Sequence, residues 1–347
     1  KPFCMNLSTA NSARRAEPVG AVGSMGADAA RVTVVIVNWN GLQHLPQCLR
    51  TLQQQTMGAF RALVMDNGST DGSAELVPAL QDPRFRLVRL GSNQGFARAN
   101  NLAVAQADTP WVALLNPDAF PTPDWLEQLL AAAARHPAGA AFGCTLLDAA
   151  DTAVLDGTGD SYHWSGRAFR RDHGRLRSEG ASGEGEIFSP CAAAALYRRS
   201  AWQAVGGLDE DFFCYLEDVD LGFRLRLQGH QCWHVPEAVC HHVGSAITGR
   251  RSDFSGYHGQ RNLVWTYVKN MPGGLFWLLL PLHLLANLAA LVFFTLRGQA
   301  AVACRAKRDA LFGLPACWRK RRAIQAGRSA TVRAIWAMLD KRLWPQP

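Results

Sequence analysis

The chain lacks the cysteine patterns that fix small or metal-stapled folds. Its nine cysteines, at 4, 48, 144, 191, 214, 232, 240, 304 and 317, include no CxxC pair, and no spacing reads as a zinc or disulfide framework. Mostly buried thiols in a reducing cytosol are the expectation. No GxGxxG or GxxxxGK[ST] run occurs, so neither a dinucleotide fingerprint nor a P-loop is supported. No internal repeat is evident. Residues 1–30 contain no apolar block long enough for a signal peptide. They are small, polar and Gly-rich, which predicts disorder, and Met25, just before the first patterned segment, is a candidate natural start.

Acidic residues are scarce in one place only. From Arg297 onward, twelve Lys/Arg stand against Asp309 and Asp340, a net charge of +10. The other 296 residues carry 24 basic and 26 acidic groups, or −2, out of the overall +8. Basicity therefore belongs to the tail. A slightly acidic body argues against a nucleic-acid-binding core, and the tail suits an anionic surface such as phospholipid.

The 347 residues, 48% apolar, suffice for one large domain or two smaller ones. Arg31–Val37 is a continuous β-branched run of the kind buried on both faces of a parallel sheet. A helix over Leu45–Gln54 follows, then strands over Arg61–Met65, Phe85–Leu90 and Trp111–Leu115, with helices over Ser73–Leu80 and Phe96–Ala107 between them. Strand and helix alternate, which predicts a three-layer α/β domain with a mainly parallel central sheet. Asp148–Glu186 reads as long loops or short strands, followed by a strand at Ala192–Tyr197, helices at Arg199–Val205 and Leu221–Gln228, a strand near Cys232–Val235 and a helix at Arg261–Lys269.

Leu275–Leu296 has 22 residues without a formal charge, long enough to cross a bilayer. A single span would place the +10 tail on the far side, against the positive-inside bias. With Pro281, His283 and Asn287 inside the segment, a re-entrant or in-plane hairpin is the preferred reading, and packing on the body is the alternative. Val332, Ile335, Trp336, Leu339 and Leu343 share one face of a basic amphipathic helix beyond it. The expected organisation is thus 1–30 disordered, 31–270 an α/β body and 271–347 a hydrophobic and basic membrane-associated tail.

Four polar constellations follow apolar runs: VNWNG (37–41), MDNGSTDGS (65–73), NQGFARANN (93–101) and LLNPD (114–118). Each alone reads as a capping or turn sequence. Together, at strand carboxyl ends, they mark the edge where α/β sheets keep their ligands. Glu217-Asp218-Val219-Asp220, after the aromatic run FFCY, crowds three carboxylates into four residues. Such proximity raises at least one pKa and suits a general base.

These blocks, in order, with VGGLDEDFFCYLEDVDL, resemble family 2 glycosyltransferases from about Val32 to Asn270. NPD in place of DxD is similar to the bacterial rhamnosyltransferase-like branch. The resemblance implies a GT-A catalytic domain over 31–270, with 31–147 as the nucleotide-sugar-binding half and 148–270 as the acceptor half, a nucleotide-diphospho-sugar donor (dTDP- or UDP-linked), a divalent metal (Mn²⁺ or Mg²⁺) and inversion at the anomeric centre. It places Asn38, Asn40, Asp66, Asn93 and Gly95 on the nucleotide. Arg98 is assigned to the diphosphate or to the surface. Asn116 and Asp118 fall at the DxD position, with Asp118 the sole carboxylate on the metal. His241 and His242 are candidates for a further metal contact; His241 fits the family position better, although the doublet leaves the register open. Asp218 is the implied base, with Glu217 orienting it or the acceptor. Asp220 would cap the helix that carries Arg224, and Arg224 would meet the diphosphate or pair with the carboxylates. The acceptor implied is lipid-linked or a glycan. Ser189-Pro190-Cys191-Ala192 replaces the usual Gly-rich step, so no acceptor contact is assigned to it. Two rivals stand beside this reading: a processive synthase, which needs QxxRW where this chain has Gln260-Arg261-Asn262-Leu263-Val264-Trp265, and a non-catalytic sugar-nucleotide-binding regulator, which the intact EDVD block disfavours.

Overall fold

The computed structural model describes residues 30–179, 183–244 and 252–343. The disorder expected of the N-terminal segment falls on residues outside these. In chain order the first half comprises β1 (Val32–Asn38), α1 (Leu45–Gln53), β2 (Phe60–Asp66), α2 (Leu76–Ala79), β3 (Phe85–Arg89), α3 (Phe96–Gln106), β4 (Trp111–Leu115), β5 (Ala119–Pro121), α4 (Trp125–Arg135) and β6 (Gly139–Asp148). The second half adds β7 (Leu155–Gly157), β8 (Asp160–Tyr162), β9 (Ala168–Arg170), β10 (Gly185–Glu186), β11 (Ala194–Arg198), α5 (Arg199–Ala204), α6 (Glu217–Leu227) and β12 (Gln231–His242). Helices α7 (Asp253–Asn270), α8 (Gly273–Leu296), α9 (Ala300–Phe312), α10 (Leu314–Ala326) and α11 (Val332–Met338) complete it.

The main sheet runs β10-β12-β6-β11-β4-β1-β2-β3. Pairs β1–β2, β1–β4, β2–β3 and β12–β6 are parallel, whereas β11 is antiparallel to both β4 and β6. The sheet is therefore mixed. Strand β11 is entered from the loop at the carboxyl edge of β4, where Asn116 N–H donates to the Ala193 carbonyl at 2.8 Å, so no crossover helix turns the chain parallel. Every residue of β1 is buried. Val32, Val34 and Ile36 pack with α1 and α4 on one face, and Val35 and Val37 with α3 on the other. That period-2 division explains why the strand reads as apolar throughout. The elements α4, β5 and β6 had no counterpart in the sequence reading.

A third core joins the second half of the α/β body to the C-terminal helices: Tyr162, Phe188, Phe212 and Phe223 pack with Trp265, Tyr267, Phe276, Leu279, Ile335 and Leu339. Two expectations for the tail are corrected here. Gly273–Leu296 is one continuous helix with Pro281 inside it, not a hairpin. The amphipathic helix stops at Met338, and its apolar face turns inward: Ile335 and Leu339 are buried, while Leu343 lies beyond the helix at 81% exposure. Bridges from Asp340 to Tyr162 and Trp164 redirect the chain there onto the β8–β9 hairpin.

Candidate active site

The carboxyl ends of β1, β2 and β4 lie along one edge, and the loops that follow are stitched together by short polar side chains. Asn38, fully buried, donates from Nδ2 to Ser69 Oγ (3.2 Å) and Ser73 Oγ (2.8 Å). Asn40 adopts a left-handed φ of 52° and accepts Thr70 N–H at 2.8 Å. Asp66, buried at the end of β2, accepts Ser69 N–H at 3.2 Å. Asn67, which the sequence reading passed over, donates to Asn93 Oδ1 (3.1 Å) and accepts Gln94 N–H (2.7 Å), joining the NQG loop to β2. Gly95 is required at its position: φ is +82°, and a Cβ would stand 2.6 Å from the Phe213 ring. Arg98, 53% exposed, faces Glu210 across 3.8 Å, which makes it the surface arginine of its two readings.

Beyond β4, the NPD turn meets the end of β12. Strand β5 pairs antiparallel with it in the register His242↔Ala119 and His241↔Phe120. Neighbouring strand residues point to opposite faces, so only one histidine of the doublet can serve Asp118. It is His242. Its Nε2 lies 3.6 Å from Asp118 Oδ1 and has no hydrogen-bond partner although buried. Its Nδ1 lies 2.8 Å from Asp156 Oδ2. The preference for His241 is therefore corrected: that side chain lines a separate cleft of about 490 Å³ with His44, Gln47 and Phe120. Asp156 also receives Arg170 Nη1 at 2.7 Å and sits 3.5 Å from His173 Nδ1. Burial alone would raise the Asp156 pKa, but His173, His242 and Arg170 hold it well below the usual carboxylate range. For His242, burial works against the charged ring, and Asp118 and Asp156 outweigh it and raise its pKa.

The acidic block opens helix α6. Asp218 Oδ2 accepts Ala192 N–H at 3.1 Å and Oδ1 accepts Val219 N–H at 2.8 Å. The Ser-Pro-Cys-Ala loop thus holds the carboxylate directly, and its next residue, Ala193, receives Asn116 N–H. One loop consequently ties Asp218 to the NPD motif. Glu217 is buried, its Oε2 without a partner, and burial followed by the Asp218 charge pushes its pKa well above the ordinary value. Asp160 is buried beside them, and burial and the Asp218 charge raise it to about 8.

Asp220 and Arg224 do not join this cleft. Arg224 Nε donates to Asp220 Oδ2 at 2.8 Å and its Nη1 to the Val205 carbonyl at 2.7 Å, both residues buried. Asp220 also takes Lys269 Nζ and Asn270 Nδ2 at 2.7 Å each. This is an ion cluster inside the protein: of its two readings Arg224 takes the pairing with a carboxylate rather than the diphosphate contact, and Asp220 is corrected from a helix cap, since it lies within the first turn of α6.

The turn before α6 is strained. Phe213, Tyr215 and Leu216 all have φ between 65° and 69°. Non-glycine residues there cost about 1–3 kcal/mol each and persist only where the surroundings over-determine them. Asn262 of α7, fully buried, does so: its Nδ2 lies 3.1, 2.9 and 2.8 Å from the carbonyls of Phe212, Cys214 and Tyr215. Sequence reading missed Asp156, Asp160, Arg170 and Asn262. The two aspartates did carry a signal, since LDGTGD repeats the pattern of a short polar residue with glycine after an apolar pair.

The model of glycosyl transferase family 2 matches residues 33–206, half of the chain. The chain belongs to glycosyl transferase family 2. The N-acetylglucosaminyl-diphospho-decaprenol L-rhamnosyltransferase of Mycobacterium tuberculosis is 33% identical over 245 residues, 62% of this chain and 77% of that protein. The O-antigen biosynthesis protein RfbC of Myxococcus xanthus is 30% identical over 198 residues, 53% of this chain and 15% of that protein. Among solved structures, a mannosyltransferase of Pyrobaculum calidifontis in complex with GDP-Man and Mn²⁺ superposes with a TM-score of 0.54 at 20% identity, covering 89% of this chain and 86% of the other. GalNAc-T7 with UDP, GalNAc and Mn²⁺ gives 0.56 at 14% identity, covering 70% and 51%. Family 2 membership and these neighbours establish the GT-A fold, with the C-terminal helices as an addition to it.

Proposed function

We propose that the chain is a metal-dependent, inverting glycosyltransferase. It moves a deoxyhexose such as rhamnose from a dTDP- or UDP-linked donor to a lipid-linked or glycan acceptor in cell-envelope synthesis. The observation that carries this reading is the single loop, Ala192–Ala193, that fastens the base candidate Asp218 to the Asn-Pro-Asp turn. The mycobacterial relative, named for a rhamnosyl transfer to a decaprenol-linked sugar, supports the choice of sugar and acceptor.

Asp218 takes the proton of the acceptor hydroxyl as that oxygen bonds to the anomeric carbon. The carbon–oxygen bond to the diphosphate breaks on the opposite face, and the configuration inverts. Glu217, whose pKa is raised by burial and by the Asp218 charge, is suited in its protonated form to donate a hydrogen bond to the acceptor or to the base.

Among the described residues no group of three ligating side chains converges. Asp118 and His242 nevertheless fit a shared cation, because the buried Nε2 of His242 has no hydrogen-bond partner and its Nδ1 is held by Asp156. A bound divalent ion would supply positive charge to the departing diphosphate, whose oxygens would complete the shell. In Mn²⁺ titrations followed by electron paramagnetic resonance with nucleoside diphosphate present, His242→Ala and Asp156→Asn are expected to weaken binding roughly 10–100-fold. His241→Ala is expected to leave it unchanged. Equal losses for the two histidines would contradict the assignment.

The tail is proposed to rest on the cytoplasmic face of the bacterial inner membrane, in a peripheral or monotopic manner. Helix α8 is long and apolar enough to cross a bilayer, but one side is packed along the protein. Leu275, Phe276, Leu279 and His283 are buried, and His283 Nδ1 lies 2.8 Å from the Ser165 carbonyl of the β8–β9 hairpin. Spanning would pull that hairpin into the hydrocarbon. The opposite side exposes Trp277, Leu278, Leu284, Leu285, Leu288 and Val292, a stripe that suits an in-plane helix.

A thermal-shift screen of nucleotide-sugars with Mn²⁺ or Mg²⁺ tests the donor. Ligand at 100 times its Kd adds about 2.7 kcal/mol to stability. A dTDP- or UDP-sugar is expected to raise Tm and then to be hydrolysed slowly in a metal-dependent way. No shift with any nucleotide-sugar would overturn the reading, and a shift without hydrolysis or transfer would favour the regulator.

A further inference from the structure

Three cations of the tail are already paired with carboxylates. Lys320 pairs with Asp209 and Asp211 (2.6 Å to the latter), Arg308 with Asp309 (2.9 Å) and Arg342 with Asp340 (2.7 Å). A different arrangement occurs at the head of α8. There a cleft of about 410 Å³ is lined by Gly273, Trp318, Arg321, Arg322, Gln325 and Arg328. Three arginines line it, with no carboxylate among the described lining residues. Arg321 is buried and spends Nη1 on the carbonyls of Val268 (2.8 Å) and Met271 (2.6 Å). Its guanidinium also lies over Phe276 and Trp318, at 4.5 and 5.4 Å from the ring centres. Arg328 keeps a buried Nε without a hydrogen-bond partner. Like charges gathered without a counter-charge repel one another, an arrangement that an anion would relieve.

The position of the cleft identifies the anion. Trp318 packs edge-on against Phe276, and Phe276 against Trp277, where the exposed apolar stripe of α8 begins at 65% exposure. An apolar stripe bounded by tryptophan and arginines is the composition of a membrane interface. The cleft is also remote from the reaction. Ser329 and Ala330 N–H both donate to the Leu227 carbonyl at 3.0 Å, at the far end of α6 from Asp218, about 14 Å along that helix.

We propose that this cleft holds the phosphate of an anionic phospholipid headgroup and pins α8 in the plane of the membrane. The inference rests on the membrane reading above and specifies its ligand and its site. It is tested on the full-length chain by flotation with phosphatidylcholine vesicles and with vesicles containing one quarter phosphatidylglycerol. The wild type is expected to bind the anionic vesicles at least about 30-fold more tightly. Arg322→Ala/Arg328→Ala is expected to lose about fivefold per arginine, roughly 25-fold in all, on anionic vesicles only. Arg319→Ala/Arg333→Ala removes the same charge from exposed positions outside the cleft and is expected to lose several-fold less. Equal losses for the two double variants would mean diffuse charge and overturn the site. Release by 10 mM inorganic phosphate at constant ionic strength would mean that the cleft takes the free anion and would overturn the lipid. Equal wild-type binding to both vesicle types would overturn the headgroup proposal alone, whereas binding to neither would overturn the membrane reading itself.

Discussion

Asp218→Asn is expected to lower the rate of sugar transfer by at least about 10³-fold while the nucleotide-sugar still binds. The amide keeps the size of the carboxylate, and its one oxygen can still accept one of the two backbone N–H groups that Asp218 holds, Ala192 at 3.1 Å or Val219 at 2.8 Å. It cannot take the acceptor's proton. Removing the charge also relieves Glu217 and Asp160, whose raised pKa values both owe part of their shift to Asp218. The variant should therefore fold at least as stably as the parent, and a loss of turnover then reports chemistry rather than unfolding. Single-turnover transfer and donor titration by thermal shift separate the two effects. Near wild-type turnover would show that another group is the base.

Asn262→Ala is expected to be costly in both stability and rate. The buried amide serves three carbonyls of the turn at Phe212–Tyr215. Buried acceptors left without donors cost about 1–3 kcal/mol each, and Arg261 still reaches the Phe212 carbonyl at 3.0 Å. A net loss of about 2–4 kcal/mol follows, or roughly 3–6 °C in Tm for a chain of this size. The left-handed residues Phe213, Tyr215 and Leu216 would then relax, and Glu217 and Asp218 start the helix that follows directly. A displacement near 1 Å at reacting groups costs about 10²-fold in rate. Calorimetry and transfer assays at a temperature where the variant remains folded would check this. Unchanged Tm and rate would mean that the turn holds itself.

Removing residues 271–347 is a poor probe of membrane binding, because it would uncover the third core. Phe212 and Phe223 pack there against Leu275, Phe276, Leu279 and Ile335. Lys320 of α10 also closes the buried cluster of Asp209, Lys269 and Asp220. The C-terminal helices are in this respect part of the catalytic body. Of the eight described cysteines six are buried.

What the sequence determined by itself is local. Runs of β-branched residues ending in Asn, Asp and Gly mark strand ends, because burial on two faces and turn chemistry are both written within a few positions. Strands β1, β2, β3 and β4 and the four loops after them were legible for that reason, as was the EDVD block. The tertiary structure decided everything that depends on pairing across the chain. Asp156 and His242 are 86 positions apart, and only the β12–β5 register shows which histidine of the doublet faces Asp118. The same holds for Arg224, whose partner Asp220 is committed to Lys269 and Asn270 about fifty positions away. It holds for the tail as well, where one apolar helix offers a side to the protein and a side to its surroundings. Composition records how apolar a segment is, but only packing settles which of its faces is already covered.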